Sequence, residues 1–213
     1  MKVFYLAIVL SVLLTGCSRK WKQPTHCNFN LSFDTETSSG VNEINSSTFY
    51  VSTLSFEGVR EEAGNIDISK SIDKQMNGNA VELIEFDIPQ GTYPDLNTEV
   101  VLSRNSGAAH TARINGKHSF SGGSFNNFII EIDSDILLLA DIFDADGTST
   151  ILLSKKVDRT ANIELDVTAL LDGIPESSWI DAVTGPGTIV IDSDSNQSLY
   201  LYVLMKISNY VDV

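Results

Sequence analysis

The sequence predicts a mainly β fold, an antiparallel β-sandwich with a small helical C-terminal portion. Short runs rich in β-branched and aromatic residues alternate apolar and polar side chains, as half-buried strands do. Clusters of Gly, Asn, Asp and Ser separate these runs at short intervals, which is typical of turns between strands. Helix-forming patterns occur only after residue 167, and no repeat of fixed period is visible.

The first segment is predicted to direct export and not to form part of the fold. Lys2 precedes an apolar run from Val3 to Leu14, which is shorter than the roughly 20 apolar residues that a spanning helix needs. Such a run predicts a signal peptide over residues 1–16. It ends in Leu14-Thr15-Gly16-Cys17, which resembles the lipobox of bacterial lipoproteins. A plain secretory signal with an incidental cysteine is the alternative.

The lipobox resemblance implies a lipid anchor. In that family the signal is removed and the cysteine receives a diacylglycerol, so Cys17 would become the lipidated N-terminus. Several acyl chains, at roughly 0.8 kcal/mol for each buried CH₂, hold a protein firmly on a bilayer. Ser18 follows the cysteine, and in better-studied members a non-acidic residue there goes with the outer membrane. We therefore expect attachment to the cell outer membrane through a polar, basic tether over residues 17–25.

Length and charge limit the remaining chain. Without residues 1–16 the chain has 197 of its 213 residues and a formal net charge of −15 instead of −14, because Lys2 leaves with them. A chain of this length can bury a substantial core as one all-β domain or as two small ones, and we favour one domain over residues 26–213. The negative charge argues against a nucleic-acid partner, since such partners are bound by neutralising phosphates with Lys and Arg.

Cys27 is predicted to be an unpaired, buried cysteine. If lipid occupies the sulfur of Cys17, Cys27 has no partner for an intramolecular disulfide. Residues 27–33 alternate as a half-buried strand does, with Cys27 on the same face as Phe29 and Phe33. A free thiol close to the tether is the alternative.

Taken in order, the apolar runs predict a succession of strands. They cover residues 27–33, 48–56, 64–69, 81–88, 98–102, 110–114, 128–132, 136–143, 150–157, 162–167 and 188–191. The polar run 70–79 is predicted as a hairpin or loop. Because strand 98–102 follows a turn at Pro89–Tyr93, it is predicted to lie antiparallel and adjacent to strand 81–88.

Two segments near the C-terminus are predicted to be helical, over residues 168–183 and 195–208. The first contains helix formers stopped by Gly173, then a second start at Pro175. The second fits both a strand of period 2 and a helix capped by Asp194 or Ser195, and we favour the helix.

A further resemblance lies in the middle of the chain. Ile66-Asp67-Ile68, Asn77-Gly78 and the run from Phe86 to Tyr93 look like features of uncharacterised bacterial surface lipoproteins of the domain-of-unknown-function type. In these proteins a strand, an Asn-Gly loop and a Pro-x-Gly-x-Tyr turn recur within a prealbumin-like β-sandwich. The resemblance implies a fold and a location, and it implies no activity.

Acidic turns are the candidate metal sites, and calcium is the candidate ion because it prefers several oxygen ligands. The first group consists of Asp141, Asp144 and Asp146. The second group reproduces the first half of an EF-hand loop and consists of Asp192, Asp194 and Asn196. Its match then fails at Gln197 and Val203, where the loop needs Gly and a bidentate Glu. The alternative is that these residues are present because they favour turns and helix caps.

The sequence contains no pattern that predicts catalysis. His110 and His118 lie in one Gly-rich segment, for which we predict a solvated loop; a soft-metal site across a hairpin is the alternative. No Gly-x-Ser-x-Gly nucleophile elbow occurs. Many carboxylates are present, yet nothing singles out the pair that glycoside hydrolysis would need.

Aromatic residues in the C-terminal region are the candidate ligand site. Flat rings stack on sugar faces, and the rings that cluster in this region are Trp179, Tyr200 and Tyr202. In a sandwich of this size such rings also cap the core, which is the alternative.

Together these observations predict a non-enzymatic binding or interaction module on the outer membrane, for a glycan or for another envelope protein. The alternative is a structural subunit of a surface fibre of the fimbrillin type. A hydrolase without a recognisable signature is the third hypothesis.

Overall fold

The structure is a computed structural model that describes residues 24–36, 40–61, 63–105, 107–144, 146–155, 158–183 and 187–212. The signal peptide predicted over residues 1–16, the predicted lipidation site Cys17 and most of the predicted tether lie outside these residues. None of the helices in the described part of the chain has the length and hydrophobicity that crossing a membrane requires.

The described residues form mainly strands, and the predicted mainly β fold with a helical C-terminal portion is confirmed. The strands are β1 Pro24–Asp34, β2 Asn42–Val59, β3 Ile66–Asn77, β4 Glu82–Pro89, β5 Gly91–Tyr93, β6 Asp95–Leu102, β7 Ala112–Ser119, β8 Phe125–Ile132, β9 Ile136–Asp141, β10 Ile151–Leu153, β11 Arg159–Asp166, β12 Ile189–Ile191 and β13 Val211–Asp212. The helices are α1 Val167–Asp172, α2 Glu176–Ala182 and α3 Gln197–Lys206, and a 3-10 helix follows over Ile207–Tyr210.

The strands are arranged in three sheets. The largest has the order β12-β8-β7-β2-β6-β9, with β3 also paired to β2. The second has the order β13-β11-β1-β4, and β10 pairs with β5 in the third. Neighbouring strands are antiparallel, except that β1 is parallel to β11 and β12 is parallel to β8.

The long strand β2 connects the two halves of the largest sheet. Its first half, Asn42–Phe49, pairs with β7, and its second half, Val51–Val59, pairs with β6. Because β3 pairs over Thr48–Gly58 and so overlaps both, β7 and β6 must lie end to end along the opposite edge of β2. The register shifts twice along β2, and such bulges bend a strand and increase its twist.

The core lies between the four-stranded sheet and the seven-stranded sheet. Successive side chains of a strand point to opposite faces, so β1 turns alternate residues inward. The rings of Phe29 in β1 and Phe56 in β2 lie 4.1 Å apart between centroids. Phe33 and Phe49 stack at the same distance with an angle of 6° between their planes. These aromatic contacts join the two sheets face to face.

Two strand predictions are wrong because tertiary pairing overrides local pattern. Residues 70–77 are strand and not loop, since β3 runs to Asn77 alongside β2. Most β3 side chains are exposed on both faces, so its sequence lacks the alternation that marks a half-buried strand. Strand β6 does not pair with β4: it pairs with β2 and β9, whereas β4 pairs with β1. The chain changes sheets between Pro89 and Asp95.

The predicted helical segments are confirmed with one change at a helix start. Helices α1 and α2 occupy the segment 168–183, and α3 with the 3-10 helix occupies 195–208. The residue before α3 is Asn196, which has a left-handed backbone with φ of 54° and makes no capping hydrogen bond through its side chain. The predicted caps, Asp194 and Ser195, therefore lie one or two positions too early.

Candidate functional site

A cavity of about 250 Å³ lies at the end of the fold where β1 begins. Its walls are formed by the first residues of β1, β6 and β11, by the end of β4 and by the chain just after β9. Strand β10 closes another wall. The apolar side chains that line it include Cys27, Ile88, Leu96, Ile142, Ile151 and Leu153.

The register of the four-stranded sheet brings the cavity walls together. Cys27 in β1 lies opposite Arg159 of β11 on one side and Phe86 of β4 on the other. Ile151 and Leu153 lie in β10, whose only three residues pair with β5. The inward side chains of these strands leave space between them because the small β5–β10 sheet covers the end of the two large ones.

The two charged residues that line the cavity neutralise each other. Arg159 Nη1 donates a hydrogen bond to Asp144 Oδ1 over 3.2 Å, and Nη2 donates to the carbonyl oxygen of Leu152 over 3.2 Å. The described lining contains no other Lys, Arg, Asp or Glu. The lining is mainly apolar, with Thr160 and Asn162 as its uncharged polar residues, and its one cation is paired with its one anion, although the Nε of Arg159 is buried without a hydrogen-bond partner.

The thiol of Cys27 is buried and unreactive. Its residue is 2% exposed, which confirms the predicted burial, and it forms no disulfide. Burial raises the pKa of the Cys27 thiol to about 11, although the nearby Arg159 acts in the opposite direction. Because the thiolate is the nucleophile and the thiol is not, Cys27 lacks the chemistry of a catalytic cysteine near neutral pH.

A cluster of polar side chains lies at the end of the fold opposite the cavity, where α1 and α2 cover β7 and the start of β2. His118 in β7 is 2% exposed, and its Nδ1 lies 2.9 Å from Asn42 Oδ1. Asn42 Nδ2 in turn donates to Asp172 Oδ1 over 2.7 Å. Burial lowers the pKa of His118, and the nearby carboxylates of Glu176 and Asp172 oppose that effect. His118 is therefore a neutral imidazole within a buried hydrogen-bonded chain.

The predicted solvated loop around the two histidines is wrong for His118. The prediction took the glycines of this segment as signs of a loop, but Gly116 lies within β7. An added Cβ at this position would overlap the ring of Phe128 and the carbonyl oxygen of Glu43. His110 lies before β7, with Nδ1 2.7 Å from Asp133 Oδ1. Eight positions along an extended chain span roughly 26 Å, so the two rings do not meet at a common metal site.

The aromatic residues predicted to bind a ligand lie in the packing between helices and sheet. Trp179 is fully buried, and its ring stacks on His118 with 4.5 Å between centroids. Tyr200 is 5% exposed and its hydroxyl lies 3.1 Å from Ser134 Oγ. Tyr202 is half-buried and donates to the carbonyl oxygen of Gly173 over 2.7 Å. In this arrangement Trp179 and Tyr200 present no ring face on which a sugar could stack.

Three of the aspartates predicted to bind calcium accept hydrogen bonds from other residues, and Asp141 is the exposed last residue of β9. Asp144 pairs with Arg159, as described above, and Asp146 Oδ1 accepts hydrogen bonds from the backbone and the hydroxyl of Thr148. In the second group, Asp192 Oδ1 accepts from the backbone of Asp194 and Ser195. Across the described part of the chain, no three His, Cys, Asp or Glu side chains are placed to hold a metal ion. The hydrogen bonds within these groups are those of turn formation.

Sequence reasoning missed most of the cavity. Cys27 was predicted to be a buried cysteine, whereas nothing in the sequence joined it to Ile142 just after β9, to Ile151 and Leu153 in β10, or to Arg159 in β11. No family model, curated protein or solved structure matches the chain. Its function is therefore inferred from the cavity and from the residues around it.

Proposed function

We propose that this protein is an outer-membrane lipoprotein, anchored through Cys17, whose prealbumin-like β-sandwich is a non-enzymatic binding module for a small apolar molecule. The lipobox-like residues Leu14 to Cys17 support the anchor. The apolar cavity supports the binding role, and the protonated thiol of Cys27 supports a role without chemistry.

The mainly apolar lining of the cavity is the observation that carries the binding role, and its size limits what it can bind. An engineered apolar cavity of roughly 150 Å³ stays dry and binds benzene. The cavity here, at about 250 Å³, is larger than that. It is also slightly smaller than the pockets of roughly 300–1,000 Å³ that enclose drug-sized ligands. It therefore suits either a small apolar molecule or one apolar part of a larger molecule.

Filling the cavity is expected to abolish binding of an apolar probe. Leu153→Trp adds volume to the cavity wall, where Leu153 is 3% exposed. We expect the dissociation constant for N-phenyl-1-naphthylamine to rise at least about tenfold, a loss of about 1.4 kcal/mol. The measurement is a fluorescence titration of a periplasmic form made with an ordinary cleavable signal in place of residues 1–17.

Leu152→Trp is the matched control for this experiment. Leu152 is the neighbouring residue of β10, is 57% exposed and points to the other face of the strand. We expect its dissociation constant to stay within about twofold of the unchanged protein. Equal affinities for Leu153→Trp and the unchanged protein would rule out the cavity as the binding site.

Removing the proposed lipid acceptor is expected to abolish membrane anchoring. The full chain should incorporate an alkyne analogue of palmitate and fractionate with the outer membrane, and Cys17→Ala should lose the label because the acceptor sulfur is gone. Cys27→Ala removes a buried thiol at the far side of the tether and should retain it. Undiminished labelling of Cys17→Ala would show that lipid is not attached there.

A further inference from the structure

We propose that the cavity takes the acyl chain of an uncharged membrane lipid or lipid alcohol. This proposal names the ligand class for the binding role given above and rests on it. Three features of the cavity support it: its position relative to the anchor, the charge of its walls and the exposure of its rim.

The cavity lies at the end of the fold where the chain arrives from the proposed anchor. Cys27 is three residues after Pro24, and Ile88 is the neighbour of Pro89, which pairs with Pro24. Pro24 follows Cys17 by seven positions, which even fully extended span at most about 25 Å. The headgroup layer of one leaflet is about 5–8 Å thick, so the anchor holds this end close to a supply of acyl chains.

The charge of the walls favours an uncharged ligand over a carboxylate. Asp144 already neutralises the charge of Arg159, so a fatty-acid carboxylate would lose its hydration and bring an uncompensated negative charge beside Asp144. The Nε of Arg159 is buried without a hydrogen-bond partner, and a hydroxyl or ester oxygen can accept from such a donor without adding charge. The formal net charge of −15 for the chain without residues 1–16 adds a further repulsion of anions. An alcohol or ester avoids both costs, and its chain still gains from the apolar walls.

The rim of the cavity also presents apolar surface to its surroundings. Phe143 lines the cavity and is 50% exposed, although the neighbouring Ile142 is 7% exposed. A ring half in the cavity and half outside offers a continuous apolar path from the surface to the interior.

Photolabelling in vesicles tests this proposal on the full lipidated chain. The protein is reconstituted in phosphatidylcholine vesicles that contain hexadecanol or hexadecanoate, each with a diazirine near the methyl end and at the same mole fraction in the bilayer. We expect adducts on residues of the cavity wall, such as Ile142 and Leu153, with at least about tenfold more labelling by the alcohol than by the acid. Mass spectrometry of the peptides locates the adducts.

Cavity-filling variants separate bound chains from general membrane labelling. Leu153→Trp is expected to lower the labelling of Ile142 at least about tenfold, and Leu152→Trp to leave it within about twofold. Ala161→Leu fills the same cavity by a smaller change and serves if Leu153→Trp shows an altered thermal transition. Loss of labelling in both filling variants, with retention in the control, supports the proposal.

Two results would overturn the proposal in distinguishable ways. Equal labelling by acid and alcohol, or adducts confined to exposed residues such as Phe143, would reject an uncharged acyl chain as the ligand. If N-phenyl-1-naphthylamine still bound in a manner sensitive to Leu153→Trp, the proposed binding role would survive that result. Failure of both the dye and the lipid to bind would reject the binding role itself.

Discussion

Replacing Trp179 by alanine is expected to lower the free energy of unfolding by about 3–5 kcal/mol, the usual cost of truncating a large buried aromatic residue. Trp179 is fully buried in α2 and contacts two rings of the seven-stranded sheet. It stacks on His118 at 4.5 Å and lies 5.2 Å from Phe128 between centroids. Removing it leaves a cavity between helix and sheet that the fixed strands cannot close. Urea denaturation followed by circular dichroism measures the change.

Ile180→Ala is the matched control, because Ile180 is the next residue of α2 and is 56% exposed. Its free energy of unfolding should change by no more than about 0.5 kcal/mol. A Trp179→Ala protein as stable as this control would mean that the indole does not carry the packing of α2. The sugar-stacking role expected from sequence would then regain support.

Acidification is expected to destabilise the protein as the pH falls below about 6.5, with a contribution from His118 of up to about 1.4 kcal/mol per pH unit. Burial lowers the pKa of His118 in the folded state, so within this window the unfolded chain binds the extra proton and the folded chain does not. Stability from His118 is fully present above the unfolded pKa and is lost as the pH falls toward the folded pKa. The free energy of unfolding, measured by urea denaturation from pH 8 to pH 5, tests this slope.

His118→Gln should flatten the slope in that window, because the substituted side chain has no proton to gain. Glu176 contributes in a lower window, because hydrogen bonds from Ser121 lower its pKa from the ordinary value of 4.5. Its stabilisation is present above that value and is lost below it. A slope between pH 6.5 and pH 5 that His118→Gln leaves unchanged would show that His118 does not titrate as described.

The strands and helices that could be predicted are those whose own sequence shows which of their side chains are buried. Strand β1 buries one face, so the alternation from Cys27 to Phe33 predicted both the strand and the buried thiol. The C-terminal tail fits both a strand of period 2 and a helix, and the favoured helix is present as α3. The second half of strand β3 was predicted as loop because both faces of the strand are largely exposed, although its backbone pairs with β2.

The candidate site could not be predicted because it depends on which strands become neighbours. His118 and Asn42 form their hydrogen bond across 76 positions of sequence, and nothing near either residue signals the other. The cavity depends on the pairing of β6 with β2. Proximity in sequence predicted instead that β6 pairs with β4, which is wrong. The paired state of Arg159 and Asp144 decides the charge of the cavity, and it too is visible only in three dimensions.

The pairing of β1 on both of its edges determines how the fold responds to a force on its N-terminal end. It pairs with β4 over Pro24–Leu31 and with β11 over Cys27–Asp34, so both of its edges are bonded. A force applied to the chain at Pro24 acts along the strand, whereas the hydrogen bonds of the ladders run across it. These hydrogen bonds are therefore loaded together in shear, and extraction of the strand requires many of them to break at once and not one after another. Strand β1 is thus bonded so as to resist being pulled out of the fold by a force applied at Pro24.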